Sequence, residues 1–466
     1  MEEWRWPPRY SRTYFPDTTQ KYWFPIRETM PAGDREAHLL ARIRKVMGYA
    51  HQHSTFYRRR WEDAGIHPDR IRSLEDFEKV PVVTKAELRT AQAINPPFGD
   101  YLCVSEDEVK HVHGTSGTTG RSTAFAICEA DWSSIANAHA RVMWAMGIRP
   151  DDTIFIGSFF SLYMGSWGVL IGAERLGARV FPFGAGAPGQ TVRAVTWLRE
   201  MRPDAFYGTP SYALHLAEVA TSEGVDPHDF GIRILFFSGE PGASIPAIRD
   251  KIAHIYGGRV FDTGSMAEMT PWMNLAETAG QPGMLCWQDL VYTEVVDPGS
   301  RARVPYGREG TPVYTHLERM SQPMIRLLSN DLTRWEEGPG ADGRTYPILP
   351  KGIYGRIDDM FTVRGENVYP SAIDEVVMAL DHYGGEHRIL VTRERAMDEL
   401  DVQIECDLAL LAAGDASVSG FKRLAETRLR TVLGVGARVE VVRPGTLERT
   451  EFKARRVVDR RDVLKV

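Results

Sequence analysis

The sequence predicts an α/β protein: a large N-terminal domain of mainly parallel sheets flanked by helices, then a small α+β C-terminal domain. Three observations carry this. Short strand candidates, Ile154-Phe155-Ile156, Arg179-Val180-Phe181, Ala205-Phe206-Tyr207 and Ile234-Leu235-Phe236-Phe237, alternate with helical patterns, as strand–helix units on a parallel sheet do. The run 234–237 is apolar at every position, which suits a strand covered on both faces. Beyond Gly355-Arg356-Ile357-Asp358-Asp359 the pattern shifts to alternating strands and amphipathic helices with a core of their own.

Each element follows from its residues. The first hundred residues read as helices and connectors. Thr84-Lys85-Ala86-Glu87 is a capping box that starts a helix, because Thr84 caps the Glu87 amide while Glu87 returns the bond. The stretch 153–173 has no charged residue and is long enough to cross a bilayer. Its glycines 157, 165, 168 and 172 and serines 158, 161 and 166 favour a buried strand, a loop and a buried helix over a membrane span. A helix follows near Val192, Val195 and Leu198, and Pro210-Ser211 opens another whose apolar face is Tyr212, Leu216 and Val219. Ligands gather at the carboxyl ends of strands in such sheets, which singles out Ser238-Gly239-Glu240 and Asp262-Thr263-Gly264. Near Pro370-Ser371 a helix begins, with Ser371 and Asp374 in a capping pattern and Ile373, Val376, Val377 and Leu380 on one face. Strands at 389–391, 402–406 and 439–442 and a helix at 424–433 complete the chain. The domains are therefore 1–357 and 358–466.

Composition excludes several classes. The chain has 466 residues, 56 basic against 62 acidic, and a net charge of −6, a weak field that gives no basic face for nucleic acid. Hydrophobic residues at 43% and charged residues at 25% are those of a globular protein. Cys103, Cys128, Cys286 and Cys406 show no metal-ligand spacing and read as reduced thiols in a cytoplasmic protein. The start, Met1 to Pro8, is charged and proline-broken, with no signal core.

The sharpest motif is His113-Gly114-Thr115-Ser116-Gly117-Thr118-Thr119-Gly120-Arg121. Glycines let backbone amides approach an anion and hydroxyls add donors, so the loop suits a polyphosphate; a plain surface loop is the alternative on composition. It is not a Walker loop, because five residues separate Gly114 from Gly120 and Arg121 follows.

Thr115 to Gly120 resembles the phosphate loop of adenylate-forming enzymes, the superfamily of acyl-CoA synthetases, peptide-synthetase adenylation domains and luciferases. Four further segments match in order: Asp262 to Glu268, resembling the magnesium and adenine motif; Asn330-Asp331, resembling the ribose-binding motif; Gly355 to Met360, resembling the hinge; and Arg449 to Ala454, resembling the segment of the catalytic lysine. Within the superfamily the chain resembles phenylacetate-CoA ligases through Ser54 to Arg58, Pro81 to Lys85, Gly172 to Ala178 and Arg364 to Pro370. It departs from the pattern at Arg121, Gly264 and Ala267, and it lacks the cysteine cluster that some relatives carry before Gly343.

The resemblance implies an ATP-dependent ligase. A carboxylate attacks the α-phosphate of ATP and pyrophosphate leaves; the thiol of coenzyme A then attacks the acyl-AMP and AMP leaves. It implies that Thr115, Ser116, Gly117, Thr118, Thr119 and Gly120 hold phosphates, with Thr118 catalytic, and that Ser238, Gly239, Glu240, Asp262, Thr263, Asp331 and Arg356 bind ATP and AMP. Glu268 would bind Mg²⁺ and Lys453 would offset charge during adenylation. Asp358 would be the pivot of a mobile small domain, with Arg364 and Gly365 at the coenzyme A tunnel. Phe160, Tyr163, Trp167, Ser265 and Met266 would line the acid pocket, and the aromatic rings among them suit a small aromatic carboxylic acid. A carrier protein or amine as acceptor, or a non-catalytic nucleotide-binding protein, are the rival readings. No nucleic acid or membrane partner is expected, and a homodimer is left open.

Overall fold

The computed structural model describes residues 6–11, 14–115, 122–184, 189–240, 242–264, 266–363, 366–394, 397–448 and 456–461. Its centre is an eight-stranded sheet. Five strands run parallel: Thr153–Ile156, Arg179–Phe181, Ala205–Gly208, Ile234–Phe237 and Arg259–Gly264. Taken in chain order they lie 2-1-3-4-5 across the sheet. Leu275–Thr278, Gln281–Cys286 and Ile348–Leu349 extend it antiparallel. The strands 153–156, 205–208 and 234–237 are buried at every residue, so their continuous apolar runs are explained by helices on both faces.

The order reverses between Thr153–Ile156 and Ala205–Gly208. The chains leave these two neighbours in opposite directions and open a crevice at their carboxyl ends, where ligands bind in open α/β sheets. The uncharged stretch after the first of these strands becomes the helix Met164–Leu176, and no helix among the described residues is long and apolar enough to cross a membrane. That helix packs closely on Glu129–Met146: a Cβ on Gly168 would lie 2.1 Å from the His139 ring, so only glycine fits there.

A second sheet joins Val291–Val296, Glu309–His316, Leu327–Leu328, Asp331–Arg334 and Gly355–Arg356. A hairpin, Val109–Gly114 with Ala124–Cys128, carries the 115–123 loop. The capping box of Lys85–Ile94 forms as expected, with Thr84 and Glu87 exchanging backbone bonds of 3.3 and 2.8 Å.

The N-terminal region is joined to the core by a buried ionic network. Arg141 donates to Glu28 at 2.9 Å and to both oxygens of Asp289 at 2.6 and 3.1 Å, and Arg344 Nε donates to Glu28 at 2.8 Å. Burial alone would raise the Asp289 carboxyl, but Arg141 and Tyr346 outweigh it and push it down to about 2.

Residues from Phe361 to Val439 form a separate apolar cluster. It lies between the sheet Arg438–Val442, Met397–Cys406, Tyr383–Glu394, Val457–Asp459 and the helices Pro370–Met378 and Asp415–Leu433. Ile373, Val376, Val377 and Leu380 are buried in it. The expected Ser371–Asp374 cap does not form. Pro370 occupies the first helical turn, Tyr369 is the N-cap without a side-chain bond, and Asp374 instead meets His387 Nε2 at 2.7 Å.

Candidate active site

The strand ends bring three hydroxyls together. Tyr207 lies next to the end of its strand, in register with Ile156 and Phe236, and its Oη is 2.7 Å from Ser238 Oγ. Tyr163, the N-cap of Met164–Leu176, reaches the same Ser238 Oγ at 3.3 Å. Gly239 takes φ 93°, so the chain can turn sharply behind Ser238. Phe160 and Trp167 meet edge to face at 5.1 Å, and Trp167 Nε1 donates to Ser161 O at 2.8 Å. Met266 is buried in a neighbouring cluster. The residues expected to line the acid site therefore divide into an aromatic pair, Phe160 and Trp167, and a hydroxyl group, Tyr163, Tyr207 and Ser238.

The neck of the phosphate-loop segment is tied at both ends. Thr115 N donates to Thr123 O at 3.1 Å and Thr123 N to Thr115 Oγ1 at 3.0 Å. Gly114 N donates to Leu162 O at 2.9 Å, linking the hairpin to the segment that carries Tyr163. His113 Nδ1 lies 3.2 Å from the same carbonyl, and burial pushes its pKa down to about 4, so at neutral pH a neutral imidazole donates there.

Carboxylates gather among the residues expected to bind the nucleotide. Glu268 is 2% exposed, and neither of its oxygens accepts a hydrogen bond among the described residues. Lys85 Nζ, from the first residue of Lys85–Ile94, faces it at 3.3 Å. Asp331 is pushed up to about 6 by burial, with Glu268 adding to the rise and Arg356 and Lys85 opposing it. Asp331 and Arg356 are opposite one another across two paired strands. Asp262 is raised to about 7 by burial and by Glu277, and accepts from Ser244. Thr263 Oγ1 donates to Phe237 O at 2.7 Å, and Glu240 accepts from Ser211 N at 2.8 Å.

Two hard oxygens that accept no hydrogen bond among the described residues fit a hard cation, so Glu268 would suit Mg²⁺. The described residues include no cluster of three metal-ligating side chains. Asp358 lies in the turn Ile357–Asp359. Ser116, Gly117, Thr118, Thr119, Gly120, Ser265, Arg364, Gly365 and Lys453 lie outside the described residues.

Sequence reasoning missed Lys85 and Tyr207 as site residues. Lys85 had a signal, its place in the Pro81–Lys85 segment shared with phenylacetate-CoA ligases; Tyr207 had only its position at a strand's carboxyl end.

The chain is similar to known proteins in sequence and in structure. Residues 365–461 match the AMP-binding enzyme C-terminal domain. The phenylacetate-coenzyme A ligase of Pseudomonas putida is 33% identical over 440 residues, 93% of this chain and 96% of that protein. A crystal structure of 2-hydroxyisobutyryl-CoA ligase in the postadenylation state with R3-HIB-AMP is 59% identical, covers 99% of this chain and 97% of its own, and superposes with a TM-score of 0.96. The same ligase with 2-HIB-AMP and CoA in the thioesterification state, 60% identical with the same coverage, gives 0.77. At almost equal identity the chain superposes more closely on the first of these structures than on the second. The chain belongs to the phenylacetate-CoA ligase family of adenylate-forming enzymes, ATP-dependent acid–CoA ligases that work through an acyl-AMP.

Proposed function

We propose that this ligase activates a short carboxylic acid bearing a hydroxyl beside its carboxyl group. One observation carries the reading: the Tyr163–Ser238–Tyr207 hydroxyl cluster at the switch point. A pocket wall of phenol and serine hydroxyls is costly to bury against a purely apolar acid and rewards one that completes its hydrogen bonds. The relative with 2-HIB-AMP bound, 60% identical, supports the same class. An aromatic acid is the second reading, favoured by the Phe160–Trp167 pair and by the Pseudomonas putida relative.

Residues 1–357 form the domain that binds ATP and acid, and 358–466 the lid that carries Lys453. The substrate carboxylate attacks the α-phosphorus and pyrophosphate departs; the thiol of coenzyme A then attacks the acyl carbonyl and AMP departs. Both steps concentrate negative charge, so placed cations and donors do most of the work. Amides and hydroxyls of 115–120 hold the phosphates. Ionised Asp331 accepts the ribose hydroxyls, Arg356 adds a fixed charge beside them, and Lys453 neutralises the α-phosphate during adenylation. Glu268 would hold Mg²⁺, which supplies charge to the phosphates. The four cysteines are buried and unpaired, as suits a reducing cytoplasm.

AMP release with ATP, Mg²⁺ and coenzyme A tests this with 2-hydroxyisobutyrate, isobutyrate and phenylacetate. 2-Hydroxyisobutyrate should give the highest kcat/KM. A higher value for phenylacetate selects the second reading, and equal values for the two aliphatic acids remove the role given to the hydroxyl cluster.

A further inference from the structure

The hydroxyl cluster has a member set behind the others. Tyr207 is 1% exposed. Its backbone is fixed in the sheet, with its carbonyl accepting from Gly157 N at 2.8 Å, and its ring lies 5.2 Å from Phe236 and 5.8 Å from Trp272. With backbone and ring both fixed, its Oη has little freedom to move away from Ser238.

We propose that Tyr207 is a positioning residue for acid selection: it donates to Ser238 Oγ and so directs the Ser238 proton toward the acid's hydroxyl oxygen. This rests on the reading that the acid carries such a hydroxyl. Burial keeps the Tyr207 phenol protonated well above neutral pH, so it always has a proton to give. In this assignment Ser238 Oγ, 2.7 Å away, is the acceptor. A serine hydroxyl has one proton, and with that acceptor site filled the proton is directed away from Tyr207. With Ser238 oriented this way, Tyr163 Oη, 3.3 Å away, is the next acceptor in line. That bond is the longer of the two, and an acid hydroxyl entering between Tyr163 and Ser238 takes its place, accepting from Ser238 while its own proton goes to Tyr163. Without Tyr207, Ser238 can rotate and spend its proton elsewhere, and the pocket no longer distinguishes an acid with the hydroxyl from one without it.

The test compares kcat/KM for 2-hydroxyisobutyrate and isobutyrate in the wild type, Tyr207→Phe, Ser238→Ala and the double variant. Loss of one ordered hydrogen bond should lower the hydroxy-acid preference in Tyr207→Phe about five- to tenfold. The loss should come mainly through KM, with isobutyrate changed less than about twofold. In the Ser238→Ala background the same substitution should leave the preference unchanged, because a residue acting only through Ser238 has nothing left to act on. Equal losses for both acids, or an effect that persists without Ser238, would overturn the proposal. A wild type that prefers the hydroxy acid and a Tyr207→Phe that keeps the preference refute Tyr207 alone. A wild type with no preference refutes the underlying substrate reading, and this proposal with it.

Discussion

Replacing Lys85 by methionine keeps the reach of the side chain and removes the charge that faces Glu268. The separation is 3.3 Å, with the two side chains 28% and 1% exposed. At an effective dielectric of about 20 that pair is worth about 5 kcal/mol of direct attraction. Solvent at Lys85 reduces this, and about 2–3 kcal/mol of net loss is expected when a buried carboxylate loses its partner. Without Mg²⁺ the variant should melt about 5 °C or more below the wild type. Mg²⁺ should raise its melting temperature further than that of the wild type, because the ion then supplies the missing charge. A second readout comes from Asp331, held near 6 partly by Lys85. Ribose binding needs its ionised form, so kcat/KM for ATP in pyrophosphate exchange should rise with pH through about 6. In Lys85→Met the midpoint should move upward. An unchanged melting temperature in EDTA together with an unmoved midpoint would refute the reasoning.

Other expectations follow from the same chemistry. Asp262, raised to about 7 from an ordinary 3.8, keeps in the folded state a proton that the unfolded chain has lost, so stability falls as pH rises through that window. Asp262→Asn cannot lose the proton and should flatten the decline, read from melting temperatures at acid and neutral pH. Asp289 has the opposite sign: lowered to about 2, it contributes stability above the ordinary carboxylate range, lost as pH falls toward its folded value. Asp289→Asn leaves Arg141 without its main partner and should cost about 3–5 kcal/mol in urea denaturation at neutral pH. Lys453→Ala should abolish acyl-AMP formation while sparing thioester formation from supplied acyl-AMP; equal loss of both steps would argue against its assigned role.

The parallel strands were legible because burial on both faces leaves an unbroken apolar mark, as at Ile234 to Phe237. Their order across the sheet was not, because pairing between 153–156 and 205–208 is decided by contacts far apart in sequence. The pairing of 205–208 with 234–237 turned Tyr207 from an ordinary strand residue into a neighbour of Ser238. Lys85 was read as the first residue of a capped helix and as part of the Pro81–Lys85 resemblance, not as a partner of Glu268, which is far along the chain. The Ser371 and Asp374 pattern misled because spacing alone does not register a competitor such as His387. The buried network of Arg141, Glu28 and Asp289 left no periodic trace, since a charge on a helix usually means solvent.

Gly114 N and His113 Nδ1 both bond Leu162 O, joining the hairpin that bears the proposed nucleotide loop to the turn proposed to hold the acid. Lengthening or shortening that turn to suit a new acid would pull on the nucleotide loop as well. Enzymes built this way are free to diversify mainly by exchanging side chains on a fixed backbone, at positions such as 160, 163, 167 and 238. Redesign of this ligase toward other acids should therefore begin with those positions and keep the length of the 157–163 segment constant.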